Sequence, residues 1–133
     1  AQRAGAFYVD SANFECAEPL FLGIHNDDPA SIAGHIGTKA GLDVIDLRRR
    51  YGHQIAFCGN LDVIRWAQAG PEELKAMVLT KLNAAKGGGY IVQSDHSVPS
   101  NISGENYDTV VKLVREYGQY PLRLGEYDLP DLE

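Results

Sequence analysis

Two short, uninterrupted apolar runs alternate with amphipathic helical patterns in the second half of the chain. The runs cover residues 55–58 and 90–92, and the helical patterns cover residues 71–82 and 103–117. A continuous apolar run is typical of a strand that is covered on both faces of a parallel sheet. The order of these elements predicts an α/β fold with parallel strands and right-handed helical crossovers.

Local signals mark the ends of the predicted helices. Asp43 can cap a short helix that ends at Gly52. Pro71 suits the first position of the next helix, and Ser103 can cap the last one. Gly87–Gly89 predict a turn and not a phosphate-binding loop, because they precede a strand instead of joining a strand to a helix. The middle helix carries one apolar stripe, formed by Leu74, Met77, Val78 and Leu82.

The first forty residues have a less regular pattern. Asp28 and Pro29 favour the start of a helix that runs to Ile36. Gly34 lies inside this pattern and makes it a poor helix. The apolar run 6–9 could be a strand. Because the chain begins without an initiator Met, we expect it to be the tail of a longer protein or a processed product.

The composition argues against several classes of function. The chain has 133 residues and a formal net charge of −6. Nucleic acids and anionic membrane surfaces bind clustered Lys and Arg, so this charge argues against both as partners. No apolar run is long enough to cross a bilayer, and no signal-peptide pattern is visible. Cys16 and Cys58 are too few for a disulfide scaffold, which predicts reduced thiols in a cytoplasmic protein.

Polar side chains follow both apolar runs. Asn60 and Asp62 come after the first run, and Asp95 and His96 come after the second. Because chemistry in βα folds sits at the carboxyl ends of the strands, these residues are candidates for an active site. His96 could donate or accept a proton, with Asp95 setting its tautomer and orientation. In the alternative interpretation, Asp95 and Asn60 only satisfy backbone donors, and His96 is an ordinary loop histidine.

Other residues capable of chemistry have simpler explanations. Arg65 lies just past a strand end and could reach an anionic ligand, although a surface role is the alternative. Arg48–Arg50 predict a solvated helix face, and Trp66 predicts packing. No metal site is expected, because the histidines lack metal-ligand spacing with one another and with the cysteines. The acidic, proline-containing end, residues 126–133, predicts a segment that is loose or docked on a partner.

Six short motifs occur in an order and spacing that resemble the C-terminal part of the uroporphyrinogen decarboxylase family. The resemblance covers residues 40–121, so residues 40–125 are expected to form the family part and residues 1–39 to lie outside it. The motifs are Ala40-Gly41-Leu42-Asp43-Val44, Tyr51-Gly52, Gly59-Asn60-Leu61-Asp62, Gly89-Tyr90-Ile91, Asp95-His96-Ser97-Val98-Pro99 and Glu105-Asn106-Tyr107.

The resemblance implies a (β/α)8 barrel, of which this chain would supply the last two or three βα units as a C-terminal fragment. It implies a carboxy-lyase that removes the acetate carboxyl groups of uroporphyrinogen, without a cofactor, to give coproporphyrinogen in haem biosynthesis. His96 matches a histidine of the family's active-site cleft, and Gly59–Asp62 match residues that line it. Asn60 and Asp62 would then bind pyrrole NH groups or shape the rim. The implied partner is a small porphyrinogen-like molecule, and a homodimer is an option. The key aspartate and the substrate-holding arginines of the family belong to the N-terminal half of the barrel.

Two other functions stay open. A sister branch with the same barrel transfers methyl groups from corrinoid proteins to thiols, and holds zinc through a His-x-Cys pair and a later Cys. Residues 94–101 contain no Cys and the chain has no His-x-Cys pair, which weakens this alternative, although His96 could serve as a ligand. The second alternative is a truncated, non-catalytic module that docks on another chain through an exposed strand edge.

Overall fold

The computed structural model describes residues 33–36, 38 and 41–132. Within them, one parallel sheet is covered on one side by the helices that connect its strands. None of the described helices is long and apolar enough to cross a membrane. The strands are β1 (Ala33–Ile36), β2 (Ala56–Gly59) and β3 (Tyr90–Ile91). The helices are α1 (Val44–Tyr51), α2 (Val63–Gln68), α3 (Pro71–Leu82) and α4 (Gly104–Tyr117), and short 3-10 turns cover Asn83–Ala85, Gly125–Tyr127 and Pro130–Leu132.

The three strands are parallel and lie in the order β1-β2-β3. The predicted α/β fold with parallel strands is therefore confirmed for this part of the chain. Pairing continues beyond the strand ends. The Leu61 amide donates to the Gln93 carbonyl at 3.2 Å, and the Asp95 amide donates to the Leu61 carbonyl at 2.8 Å. These bonds hold the loop after β2 and the loop after β3 side by side.

β1 lies where the sequence predicted the end of a poor helix. The strand pairs with β2 in a parallel register that matches Ala33 with Ala56, so the helix prediction is wrong for residues 33–36. Gly34 interrupts the apolar pattern, and the extended backbone depends on pairing with β2, a partner that no local pattern reveals. The strand predicted at residues 6–9 lies outside the described residues.

The predicted helix boundaries are confirmed by specific contacts. The Asp43 carboxylate accepts a hydrogen bond from the α1 backbone at 2.8 Å. Gly52 follows α1 with a positive φ of 57°, a region that favours glycine. α3 begins at Pro71. The Ser103 hydroxyl accepts a hydrogen bond from the Asn106 amide at 3.1 Å and caps α4.

Two apolar clusters pack against the helical side of the sheet. The first joins α1 to β2 around the fully buried Phe57. The second joins α2, α3 and α4 around Trp66, whose predicted packing role is confirmed. Full burial of a side chain such as Phe57 contributes roughly 1.5–3 kcal/mol, so these clusters hold the helices on the sheet. The predicted α3 stripe of Leu74, Met77, Val78 and Leu82 is buried in the second cluster.

The other face of the sheet is open in the described part of the chain. Phe57 and its register partner Tyr90 pack against the helices, so the next residues, Cys58 and Ile91, point to the opposite face. Ile91 is 56% exposed there. The prediction of strands covered on both faces is therefore correct for one face only.

Arg48 corrects the prediction of a solvated arginine face on α1. The side chain lies beneath the amino ends of the strands, and the residue is only 3% exposed. Its guanidinium donates to the carbonyl oxygens of Ala84, Gly89 and Gly52, each at 2.8 Å. The guanidinium carbon lies 5.0 Å from the centre of the Phe57 ring, a cation–π contact.

The acidic end of the chain packs on the body of the protein, which corrects the prediction of a loose or partner-bound tail. Leu132 is buried in the first cluster. The Asn83 side chain accepts a hydrogen bond from the Leu129 amide at 2.9 Å and donates to the Tyr127 carbonyl at 2.8 Å. Side-chain bonds to the tail backbone therefore order this segment on its own chain.

Candidate functional site

The loops that follow the three strands meet at one edge of the sheet, which we call the carboxyl rim. It comprises Thr38 after β1, residues 60–65 after β2, which include the first turn of α2, and residues 94–96 after β3. Because parallel strands all end at the same edge, the topology brings the candidate residues of both loops together.

The Asp95 carboxylate lies inside the carboxyl rim and binds groups of the two other loops. The residue is 5% exposed. Its Oδ1 accepts a hydrogen bond from the Val63 amide at 3.0 Å. Its Oδ2 accepts hydrogen bonds from the Thr38 amide at 3.2 Å and from the Thr38 hydroxyl. For this side chain, the contacts favour the interpretation that Asp95 satisfies donors of the rim loops.

Asn60 is completely buried, and its amide is used within the chain. Its Oδ1 accepts a hydrogen bond from the Val44 amide at 3.0 Å, and its Nδ2 donates to the Leu42 carbonyl at 2.9 Å. The Lys81 ammonium donates to the same Oδ1 at 2.7 Å. The backbone φ is 71°, a left-handed value that asparagine tolerates better than most residues. Asn60 therefore holds the start of α1 against the end of β2 and does not present its amide to the surface.

Asp62 caps α2, and Arg65 lies on the exposed side of that helix. The Asp62 carboxylate accepts hydrogen bonds from the amides of Ile64 at 2.9 Å and Arg65 at 3.3 Å, and the residue stays partly exposed. The Arg65 side chain is exposed and makes no ion pair with any residue that the structure describes. Its charge is therefore available to an anionic ligand at the carboxyl rim.

His96 is exposed on the loop that follows β3. Across residues 33–36, 38 and 41–132, its imidazole makes no hydrogen bond. The carboxylate of its neighbour Asp95 accepts hydrogen bonds from Val63 and Thr38 instead. The two candidate residues are therefore adjacent in the loop, but no hydrogen bond joins their side chains.

The sequence contains no local signal for two members of the rim network. Thr38 supplies two of the donors that Asp95 accepts. Lys81, near the end of α3, reaches Asn60 at 2.7 Å and the Asp43 carboxylate at 3.1 Å. The parallel strand order is the only feature that could have suggested that the residue after β1 meets the loop after β3.

Two titratable side chains of β2 and β3 are held in their neutral forms by burial. Cys58 donates to the Gln93 side-chain oxygen at 2.8 Å, and burial raises the pKa of its thiol. Tyr90 donates to the Gly59 carbonyl at 2.7 Å, and burial raises the pKa of its phenol. A raised pKa keeps the Cys58 sulfur protonated and weakly nucleophilic at neutral pH. These two groups therefore belong to the sheet and are not prepared as nucleophile or base.

The accessible groups of the carboxyl rim are an imidazole, a guanidinium and a partly exposed carboxylate, from His96, Arg65 and Asp62. Such a set can transfer a proton and pair with an anionic ligand. In the part of the chain that the structure describes, no group of three or more His, Cys, Asp or Glu side chains is arranged to hold a metal ion.

A parallel sheet with helical crossovers and polar side chains at its carboxyl rim defines the class of α/β proteins that bind ligands beyond the strand ends. The family model described as uroporphyrinogen decarboxylase (URO-D) matches residues 26–117. This match spans more than half of the chain, and the chain belongs to the uroporphyrinogen decarboxylase family. The resemblance predicted a start at residue 40, but the match begins at residue 26 and therefore includes β1. Neither the curated proteins nor the solved structures contain a match.

Proposed function

We propose that this chain supplies the last βα units of a (β/α)8 barrel and the corresponding part of a uroporphyrinogen-decarboxylase-type active site. The reaction is the cofactor-free decarboxylation of the acetate side chains of a porphyrinogen. Family membership and the parallel strand order support the proposal. The observation that carries it is an exposed imidazole, that of His96, on the carboxyl rim of a parallel sheet.

His96 is proposed as the proton donor. When an acetate side chain loses carbon dioxide, the electron pair of the broken C–C bond stays on the methylene carbon. A proton must then reach this carbon to give the methyl group of the product. An imidazole can carry such a proton near neutral pH, and an exposed one can reach a substrate that lies over the rim.

Arg65 and Asp62 are proposed to bind the substrate, and Asn60 to shape the rim. A guanidinium binds a carboxylate through two parallel hydrogen bonds, which suits a substrate that carries several carboxylates. The partly exposed Asp62 carboxylate can accept a hydrogen bond from a pyrrole NH. Because the Asn60 amide binds Val44 and Leu42, its contribution is to hold the loop after β2 in place.

The test of the proton donor is an anaerobic turnover assay with uroporphyrinogen on the complete barrel protein that contains this chain, followed by oxidation and mass analysis of the porphyrins. The substitution His96→Gln is expected to lower turnover by roughly 10²-fold, the usual contribution of a positioned general acid. His53→Gln is the control at the other end of the sheet, because His53 is also exposed but follows α1 at the amino ends of the strands. His53 contacts the Arg48 guanidinium at 3.2 Å, and the glutamine side-chain oxygen can accept the same hydrogen bond. Equal turnover in His96→Gln and the unchanged protein would reject the role of His96.

The test of substrate binding uses the same assay at varied substrate concentration. Arg65→Gln is expected to raise KM by about tenfold or more, because a charge-assisted hydrogen bond contributes roughly 1.5–3 kcal/mol. Arg123→Gln removes an exposed arginine that follows α4, at the opposite end of the sheet, and is expected to leave KM unchanged. A similar KM in both variants contradicts the binding role. The absence of both porphyrinogen binding and turnover in the unsubstituted complete barrel protein contradicts the proposed function itself.

A further inference from the structure

We infer that Asp95 is a positioning residue whose carboxylate joins the three loops of the carboxyl rim into one unit. In this way it sets where His96 stands relative to Arg65. The importance of the distance between His96 and Arg65 rests on the proposed function. The joining of the loops does not, and it can be measured without a substrate.

The Asp95 carboxylate connects segments that are far apart in sequence. Its partner Val63 lies 32 residues away and its partner Thr38 lies 57 residues away. Two of the rim loops therefore contribute donors to one carboxylate, which the third loop carries. Bonds from N–H and O–H donors to an ionised carboxylate are among the stronger hydrogen bonds in proteins, and burial protects them from competition by water.

The bonded atoms are well placed to fix the two accessible residues. Val63 is the first residue of α2, so its amide has no acceptor within that helix and can donate to Asp95. Arg65 follows two residues later in the same helix. The Asp95 backbone is bonded to the Leu61 carbonyl at 2.8 Å. His96 is the next residue, about 3.8 Å away between Cα atoms. Side-chain and backbone bonds of Asp95 thus hold the start of α2 and the His96 loop in one arrangement.

Asp62 provides a contrast within the same rim. It is also an acidic residue that caps α2, but among the described residues its carboxylate accepts hydrogen bonds only from Ile64 and Arg65, two and three positions ahead. Loss of Asp62 should loosen the first turn of α2 alone. Loss of the Asp95 carboxylate should loosen three loops together, which makes Asp62→Asn the matched control for Asp95→Asn.

The test is amide hydrogen exchange on the full chain, read residue by residue by NMR. Asp95→Asn is expected to speed exchange by about tenfold or more at both Thr38 and Val63, because each loses a hydrogen bond to a charged acceptor. The Asp95 position itself should also exchange faster, while the buried α3 amide of Val78 should not change. The control Asp62→Asn should change only the amides of Ile64 and Arg65.

A second readout separates positioning from a purely structural role. The backbone order parameter of the His96 amide is expected to fall towards about 0.6, the value of flexible backbone, in Asp95→Asn. Exchange that speeds equally at Val78 and at the rim would mean a general loss of stability and would overturn the inference. Faster exchange confined to the Val63 amide, with an unchanged order parameter at the His96 amide, would overturn the inference as well.

Thr38→Val provides an independent test if Asp95→Asn does not fold. It removes the Thr38 hydroxyl donor but keeps the shape of the side chain and its backbone amide. Among the described residues, the hydrogen bonds of Thr38 and Val63 meet only at the Asp95 carboxylate. If Asp95 joins the loops, loss of the Thr38 hydroxyl should therefore also speed exchange at the Val63 amide. Unchanged exchange at Val63 would show that the loops move independently and would refute the inference.

Discussion

The two ends of the sheet are held together by side chains of opposite chemistry. At the carboxyl rim, the acceptor oxygens of Asp95 and Asn60 bind backbone amides. The other end, which we call the amino rim, comprises Arg48, residues 83–89 and the tail 125–132. Donor groups of Arg48, Asn83 and Lys86 bind backbone carbonyls there, and Asn83 is an exception in that it also accepts a hydrogen bond from a backbone amide. The Arg48 guanidinium is the clearest example, because it donates to the carbonyls of Ala84 and Gly89.

The polarity of the helices explains this difference. Helices that follow parallel strands begin at the carboxyl rim, where their first amides have no partner within the helix, and end at the amino rim, where their last carbonyls have none. The helix dipole adds a positive potential at the first end and a negative one at the second. Acidic and amide side chains are therefore favoured at the carboxyl rim whether or not a reaction occurs there.

The comparison shows which polar residues are informative about function. Asp95 and Asn60 serve the helix starts and are buried. His96 and Arg65 are exposed at the same rim, and no capping contact within residues 33–36, 38 and 41–132 uses their side chains. An acidic residue after a strand is thus weak evidence for catalysis in a βα fold, because it can accept hydrogen bonds from the first amides of a helix. A basic or imidazole side chain at the same place is stronger evidence, because a cationic group cannot cap those amides.

The largest expected effect comes from removing the donor group at the amino rim. Arg48→Met keeps an apolar stem but leaves the carbonyls of Ala84, Gly89 and Gly52 without the guanidinium. A buried polar group without a partner costs about 1–3 kcal/mol, so the free energy of unfolding should fall by roughly 3 kcal/mol or more. Urea unfolding followed by circular dichroism measures this change.

Arg49→Met is the matched control for that experiment. Arg49 is the neighbouring arginine of α1, it is exposed, and it pairs with Asp46 and Asp131. An exposed pair contributes about 0–1 kcal/mol, so the free energy of unfolding should change little. Equal losses in Arg48→Met and Arg49→Met would contradict the view that buried donors hold the amino rim.

The carboxyl rim offers the corresponding experiment at Asn60. Asn60→Ala removes the bonds to Val44 and Leu42, and leaves alanine at a φ of 71°. Asn60→Gly loses the same bonds but tolerates that backbone conformation, so it should be more stable than Asn60→Ala by about 1 kcal/mol. Both should unfold at lower urea concentration than the unsubstituted protein, with a loss of about 2 kcal/mol for alanine. A glycine variant less stable than the alanine variant would contradict the left-handed backbone at this position.

Local patterns in the sequence predict the elements that depend on local contacts. The caps at Asp43 and Ser103 and the helix start at Pro71 are correct, because each depends on residues within one turn of the helix. The α3 stripe is correct for the same reason. β1 was mistaken for part of a helix, since an extended segment that contains Gly34 becomes a strand only through pairing with β2.

Residues whose partners are distant in sequence could not be predicted. Arg48 belongs to an arginine triplet that has the pattern of a solvated face, and the carbonyls that bury it lie 36–41 residues later. The position of Asp95 at a strand end is visible in the sequence, but the targets of its carboxylate are not. The sequence therefore predicts which residues reach the carboxyl rim, and only the folded chain separates those that hold the rim from those that stay accessible.

The smallest expected effect concerns the tail at the amino rim and its dependence on pH. The Arg49 guanidinium donates to Asp131 at 2.6 Å, and this hydrogen bond holds the pKa of the Asp131 carboxyl below its ordinary value of 3.8. A carboxyl whose pKa is lowered by folding stabilises the protein above its unfolded pKa, and this stabilisation is lost as the pH falls through the lowered pKa. Asp131→Asn should therefore unfold at slightly lower urea concentration than the unsubstituted protein at about pH 6, and the gap should close as the pH falls below about 4.

Asp108→Asn separates docking of the tail from a general effect of charge. Asp108 pairs with Lys112 at 2.6 Å on the exposed side of α4, so its loss removes one carboxylate and one surface pair without touching the tail. Raising the salt concentration to about 1 M should shrink the gap for Asp131→Asn, because exposed charges are then screened within roughly 3 Å. A gap of the same size and pH dependence in Asp108→Asn would assign the effect to net charge. A gap found only in Asp131→Asn would show that the exposed Arg49 of α1 helps to hold the acidic tail at the amino rim.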